Sequence, residues 1–409
     1  MTVLTKSFCK KYDHVETASL DDKYTIEIYD SILDVEEQWA LVSTAHDIFF
    51  NVEFLRCIED FPATGIKPYY GLVMDNGEAV GIIYFQSKYV KLRENLRKSG
   101  NFPKNIFEKL SESVKNVIVS AVNFQTIVCG NLLLTGKYGF YFKDSVKRNN
   151  QFYLVIKATE KLSEFLNKQQ VRPGLVLIKD FFTEDMPSEG EYHQGFTKFT
   201  VQPKMLLQIN PNWKTFDDYL ADMKSKYRVR ARKALQKSLE ITKVVFDEED
   251  IGAHRVIINT LYKNVSDQAA FNAFLLHEKY FENAKTALGR NMTFTTYWRK
   301  DKMVAFFTSI KNYDVLDAHF LGYDPIENVE CHLYLNMLFD LIKEGLEKKV
   351  TYLDMSRTAV EIKSTVGAVP HNMYLYLKHS NPWLNKSVGL ILGLVKPDAE
   401  YIIRSPFRE

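Results

Sequence analysis

Asp314-Val-Leu-Asp-Ala-His-Phe-Leu-Gly-Tyr323 reads as a strand, and its surroundings decide the fold. A loop follows, then an apolar helix from His332 to Lys348, then a short strand, Val350-Thr-Tyr-Leu-Asp354. Strand, helix and short strand within about 40 residues make a parallel crossover unit, with one helix covering the sheet. The helix carries Leu333, Tyr334, Met337, Leu338, Leu341, Ile342 and Leu346, a broad stripe suited to burial. In the first strand Asp317 and His319 share a face, because strand side chains alternate with period two. Two titratable side chains beside the mouth of a crossover unit are candidates for acid/base work, with Tyr323 as a further candidate acid. The plainer readings are a core histidine and a packed ring.

Outward from this unit the chain reads Ser356-Arg-Thr-Ala-Val-Glu-Ile-Lys-Ser-Thr-Val-Gly-Ala368 and closes on the strand Asn372 to Lys378. The order Leu-Gly-Tyr-Asp, helix, short strand, Arg-Thr-Ala-x-Glu-Ile-Lys-x-x-x-Gly-Ala resembles the C-terminal half of the GNAT-fold N-acyltransferases. The tandem branch with the FemABX aminoacyltransferases and their BioF2-like relatives is the nearest in pattern. The resemblance covers residues 178–378, and the first half only by topology. It implies an α/β fold of mixed sheets with helices on both faces, two GNAT-like domains in tandem. It also implies transfer of an acyl or aminoacyl group from a thioester or ester donor to an amine of an anionic acceptor. In such enzymes the amine attacks directly. Splayed strands supply a backbone N–H for the oxyanion, and a carboxylate, His or water takes the amine proton. The resemblance makes Lys363 the stabiliser of the negative reaction centre and Arg357 a second anion contact. The plainer reading of Lys363 is a surface lysine partnered by Glu361 or Asp354.

The sequence departs from the family in one place. Acetyl-CoA enzymes of this fold set a glycine-rich loop before the helix, so that backbone amides cradle the pyrophosphate. The equivalent loop here, Asp324-Pro-Ile-Glu-Asn-Val-Glu-Cys331, has acidic residues and no glycine. Gly130 to Gly139 in the first half is richer in glycine but lacks the spacing. The donor therefore stays open among acyl-CoA, an acyl carrier protein and aminoacyl-tRNA.

Between Lys224 and Lys237, seven of fourteen positions are Lys or Arg. Tyr227, Ala231, Ala234 and Leu235 fall at helical spacing on the core side, while Lys224, Arg228 and Arg232 form an i, i+4 stripe flanked by Lys226, Arg230 and Lys233. One reading is a solvated face balanced by nearby acids. The other is an anion clamp using arginine forks, with Lys226, Tyr227, Arg228 and Arg232 as substrate contacts. The resemblance favours the second, because the branch carries Tyr-Arg-x-x-x-Arg-Lys-Ala here, matching Tyr227 to Ala234. The alternative to an enzyme is a non-catalytic duplicated module that binds an anionic lipid, nucleotide or RNA through residues 224–237.

At 409 residues the chain can hold two domains, each with its own core. A formal charge of +2 excludes a general polyanion binder, so any phosphate site is a local patch. Cys9, Cys57, Cys129 and Cys331 form no CxxC or zinc spacing, so neither a disulfide framework nor a structural metal is expected. The first residues lack an apolar signal core, and no run of 18 apolar residues occurs. The simplest setting is cytoplasmic.

Tyr24–Tyr29, Tyr69–Met74, Ala79–Phe85 and Ala121–Cys129 read as strands, with Asp75-Asn76-Gly77 a hairpin turn. Helices follow at Val35–Val42, Ile48–Phe61 and Gln151–Asn167, and a polar insertion at Lys88–Lys104. After Pro173–Ile178 the order repeats: strand Met205–Ile209, a helical region from 215 to about 239, strand Ile241–Phe246, helices at Ile251–Asn264 and His277–Leu288, then a hairpin at Met292–Ile310. This predicts a flexible segment 1–23, a GNAT-like domain 24–200 and a second 201–409. Trp383 to Val395, with Trp383 at one end and Lys386 and Lys396 nearby, reads as a helix packed through Leu384, Val388, Ile391 and Val395, or as a peripheral contact with the inner face of a membrane. His46 and Asp47 carry no assigned role.

Overall fold

The computed structural model describes residues 18–20, 23–43, 47–91, 123–187, 195–268, 274–395 and 401–407. The expectations for the rest of segment 1–23 and for the insertion beyond residue 91 fall outside them. Within the described residues the chain forms two mixed sheets. The first runs β1 (Ala18–Leu20), β2 (Tyr24–Tyr29), β3 (Ile66–Asp75), β4 (Glu78–Lys91), β5 (Asn123–Cys129), β7 (Pro173–Phe181), β16 (Tyr374–His379), β8 (Thr197–Thr200), with β6 (Phe140–Phe142) paired to β4. The second runs β10 (Ile241–Phe246), β11 (Met292–Arg299), β12 (Lys302–Asn312), β13 (Val315–Tyr323), β14 (Tyr352–Asp354), β9 (Lys204–Gln208), β15 (Val369–His371).

The two orders correspond. Antiparallel hairpins lead to a parallel pair, β5/β7 in one sheet and β13/β14 in the other. An antiparallel strand then closes each parallel pair, β16 beside β7 and β9 beside β14. Here the sequence reading is corrected. Tyr374–His379 was expected to close the second unit, yet it crosses into the first sheet between β7 and β8. Its period-two pattern specifies a strand but not a partner, since alternation fits either sheet. The partner is set by packing: the buried Tyr376 ring lies edge-on to Phe152 and Phe181, at centroid distances of 5.2 and 5.3 Å.

The main helices cover these sheets by their apolar faces. Helix α3 (Arg148–Lys168) buries Phe152, Val155, Leu162 and Leu166 against the first sheet. Helix α10 (Leu333–Glu347) buries Leu333, Met337, Leu341 and Ile342 against the second, as its stripe predicts. The two halves also share a core. Phe49 and helix α2 (Val52–Asp60), through Phe54 and Ile58, join Tyr280 and Phe281 of helix α8 (Tyr280–Leu288) in one cluster. Leu133 and Leu134, from the glycine-punctuated segment, enter the same cluster.

Two further expectations change. The helical region after Thr215 breaks at Met223 and Lys224 into α4 (Phe216–Asp222) and α5 (Ser225–Lys237), which meet at a corner of extended backbone. The segment Asp324–Cys331 is no loop: Pro325–Cys331 is helix α9, with Asp324 accepting from the Ile326 and Glu327 N–H groups and Pro325 in the first turn.

Candidate active site

Strand β13 has two neighbours over only part of its length. Its parallel ladder with β14 ends at the pair Asp317 and Asp354, so from Ala318 on its edge on that side has no strand partner among the described residues. On the other side the ladder with β12 slips at the same place: Ala318 faces Ser309, but Leu321 faces Phe307. The extra residue is a β-bulge, and the Thr308 hydroxyl fills the gap by accepting from the Phe320 N–H (2.9 Å) and donating to the Phe320 C=O (3.0 Å). The Phe320 N–H is thus taken up at the bulge, and it is the edge left open beyond Asp354 that can offer backbone N–H groups to a cleft, the general means of binding a developing oxyanion.

That cleft is lined by Asp317, Ala318 and His319 of β13, by Asp354 and Ser356 after β14, and by the 133–138 segment of the first half. Thr135 and Ser356 hydroxyls meet across it at 3.1 Å. Ser356, Thr358 and Ala359, three of four successive residues, have positive φ (59, 65 and 47°), a conformation that non-glycine residues adopt at a cost.

Behind the cleft lies a buried ionic cluster. Asp354 pairs with Lys204 at the start of β9, both nearly inaccessible. Burial pulls Lys204 down, but the Asp354 carboxylate outweighs it and holds the ammonium above its ordinary value. Asp317 Oδ2 has no hydrogen-bond partner among the described residues. Burial, reinforced by the adjacent Asp354 carboxylate and opposed by Lys204, pushes the Asp317 carboxyl well above the usual range. Asp180, at the end of β7, is paired with both Lys179 (2.8 Å) and Arg357 and accepts from the Gly136 N–H (3.1 Å). Burial would raise Asp180, but the two cations hold it below the ordinary value. Lys179 also donates to the Asn131 and Leu134 carbonyls at 2.6 and 2.7 Å. The glycine-punctuated loop is thus tied down by a buried lysine. Asp47 joins from the first half: it accepts from the Phe49 N–H (2.9 Å) and Asn312 Nδ2 (3.0 Å), and burial raises its carboxyl to about 6.

The residues singled out in the sequence fall in four places. Asp317 and His319 do come together at the cleft. His319 is locked, with Nε2 at 3.0 Å from the Tyr280 hydroxyl and Nδ1 at 3.3 Å from Thr308, and burial lowers its pKa to about 3. It stays neutral at physiological pH. Tyr323 ends the same strand six residues beyond Asp317, roughly 20 Å along it, and its ring leans on Tyr334 instead. Lys363 is buried on helix α11 (Val360–Thr365) and donates to the Arg357 C=O. Burial lowers its ammonium to about 7, against the opposing pull of Asp354. Arg357 is engaged by Asp180 from the first half. On α5, Arg228 donates to the Ala221 and Met223 carbonyls (3.0 and 3.3 Å) and so caps α4. Tyr227 is partly buried against the core, with the exposed Lys226 ammonium 5.8 Å from its ring centroid. Arg232 is exposed.

Sequence reading missed Lys204, Asp354, Lys179, Asp180, Asp47 and Ser356 as site residues. A lysine opening an apolar strand (Lys204) and acids ending two buried strands (Asp180, Asp354) were the available signals, since a buried charge calls for a partner. Among the described residues no group of His, Cys, Asp or Glu is arranged to hold a metal ion.

No protein-family model matches the sequence, and no curated protein matches it. Among solved structures, the chain is similar to FemX at 12% identity and a TM-score of 0.49, covering 88% of this chain and 99% of that one. A tandem GNAT protein from the clavulanic acid biosynthesis pathway aligns at 10% identity and a TM-score of 0.47, over 87% and 99% of the two chains. The C-terminal domain of a candidate lysylphosphatidylglycerol synthetase from Agrobacterium fabrum aligns at 9% identity and a TM-score of 0.47, over 91% and 100%. The class the chain presents is a mixed α/β protein of two mixed sheets with corresponding strand orders.

Proposed function

We propose that the chain is an N-acyltransferase of tandem GNAT-like halves, 24–200 and 201–409, working at the cleft where β13 and β14 part. The observation that carries this reading is the coincidence of three features at Asp317–Phe320: a splayed parallel edge, a β-bulge and a buried carboxyl raised above its ordinary range. An amine attacks the acyl carbon, a C–N bond forms and the C–S or C–O bond to the donor breaks. Backbone N–H groups of the open β13 edge hold the oxyanion. Asp317 gives its proton to the departing sulfur or oxygen and, as carboxylate, takes one from the new ammonium. Burial and the Asp354 carboxylate favour the protonated form of Asp317, against the opposing pull of Lys204. His319 stays neutral and orients the bulge, and Lys363 fixes the strained turn through the Arg357 carbonyl.

The donor is an acyl-CoA or another activated acyl group, on a carrier protein or on tRNA, and the acceptor an anionic amine. The exposed cations of α5 favour the anionic partner. The test is release of free thiol from a panel of acyl-CoA thioesters with amino-acid and amino-sugar phosphate acceptors. Turnover in the intact chain, lower by about 10²-fold in Asp317→Asn, is expected. Equal rates in the two proteins would remove the assignment, and binding without turnover would favour the duplicated binding module. No helix among the described residues is long and apolar enough to cross a membrane. Trp383 on helix α12 (Pro382–Val395) is 79% exposed beside Lys386, which favours a lipid-linked acceptor. Co-sedimentation with anionic vesicles, lost in Trp383→Ala, is the expected result; equal recovery in the supernatant would point to a freely diffusing acceptor.

A further inference from the structure

The segment 401–407 lies across elements far from it in sequence. The Ile402 N–H donates to Glu361 (3.5 Å) and the Arg404 N–H to the Ser364 hydroxyl oxygen (3.0 Å), so two contacts fall on α11. On its other side the Pro406 C=O accepts from the Lys224 N–H (2.8 Å), the Ser405 C=O from Lys224 Nζ (3.3 Å), and Phe407 bridges the backbone of Met223. The segment therefore ties the corner between α4 and α5 to the helix that carries Lys363.

Its anchor is Phe407. The ring packs on Trp213 and Tyr219, at centroid distances of 5.0 and 5.7 Å. It also occupies the space a Cβ would need at Gly367, 2.2 Å from the ideal position. Gly367 has φ +101°, so glycine is demanded there by both conformation and space. One residue earlier, the Val366 C=O accepts from the buried Tyr219 hydroxyl at 2.9 Å. The turn that ends α11 is thus clamped by two rings.

Helix α11 needs such a clamp. It is six residues long, begins at Ala359 in the left-handed region and has no side-chain cap. A helix this short has no stability of its own. We propose that Phe407 is a positioning residue: the strap 401–407 holds α11 from outside so that Lys363 Nζ stays on the Arg357 carbonyl behind the cleft. The consequence for turnover rests on the acyl-transfer reading; the placement of Lys363 does not. The charged groups around that ammonium are Asp354 on β14, with Lys204 of β9 beyond it, and Arg357 in the turn.

The test compares full-length protein with Phe407→Ala and Phe407→Leu, each first shown to be folded by a cooperative thermal transition. Lysine reactivity is read by brief acetic anhydride labelling from pH 6 to 10, with the exposed Lys226 as internal standard and mass spectrometry of the Lys363 peptide. In the intact protein Lys363 labels far more slowly than Lys226. In Phe407→Ala its labelling rises by about fivefold or more through local opening, with Phe407→Leu between. The pH profile of thioester turnover moves with it. A folded Phe407→Ala protein with unchanged Lys363 labelling would overturn the proposal, whatever its turnover. Faster labelling with unchanged turnover would support the placement and count against a role for Lys363 in the reaction.

Discussion

Asp317 and Asp354 stand opposite each other in a parallel ladder, and of the two only Asp354 is ion-paired among the described residues. Their substitutions should therefore differ. Asp317→Asn replaces a neutral acid by a neutral amide and should leave stability within about 1 kcal/mol. Asp354→Asn strands the buried Lys204 ammonium and should cost about 3–5 kcal/mol in urea unfolding. Equal or reversed costs would contradict this difference. Lys363 gives a pH signature. Its pKa is about 7 in the fold and 10.5 in the unfolded chain, so between these values only the unfolded chain holds the proton. Its burial penalty is full below pH 7 and fades toward pH 10.5, and its contribution to stability rises with pH across that window. The gain is on the order of a few kcal/mol. Melting temperatures of Lys363→Met measured from pH 6 to 10 should lose that rise relative to the parent protein. Asp317 and His319 were legible as a pair because strand alternation is local. Arg357 and Asp180, 177 positions apart, were not, because nothing local in either sequence names the other.

At the scale of single elements, α5 separates two jobs that its sequence mixes. Arg228 spends its guanidinium on the carbonyls that end α4, whereas Arg230, Arg232 and Lys233 face solvent with no ion pair among the described residues. Arg228→Ala should lower thermal stability by about 1 kcal/mol, the worth of a charge-assisted cap. Arg232→Ala should leave the melting temperature within error and weaken retention on an anionic resin as salt rises. The opposite pattern would make Arg228 the anion contact. Helix α9 shows why an element can be misread. Asp324 followed by Pro325 is a helix start, and the absence of glycine from 324–331 suits a capped helix as well as a loop. The bulge at His319 had no sequence signal at all, since it depends on the Thr308 hydroxyl arriving from the neighbouring strand.

At the scale of the molecule, the two halves are joined by a common apolar cluster, by the Asp180–Arg357 pair and by β16. They should unfold together. Urea denaturation followed by tyrosine fluorescence and by far-ultraviolet circular dichroism should give one coincident transition, and two separated transitions would contradict this. The repeated order of strands was readable from periodicity, but the crossing of β16 was not, because its pattern fits either sheet. That crossing sets a timetable for birth on the ribosome. The first sheet lacks the strand between β7 and β8 until residue 379 has emerged, some 180 residues after β8. At about 5–20 residues per second the nascent chain waits roughly 10–40 seconds with that seam unzipped, the interval in which a chaperone, or a second nascent copy offering its own β16, could occupy it.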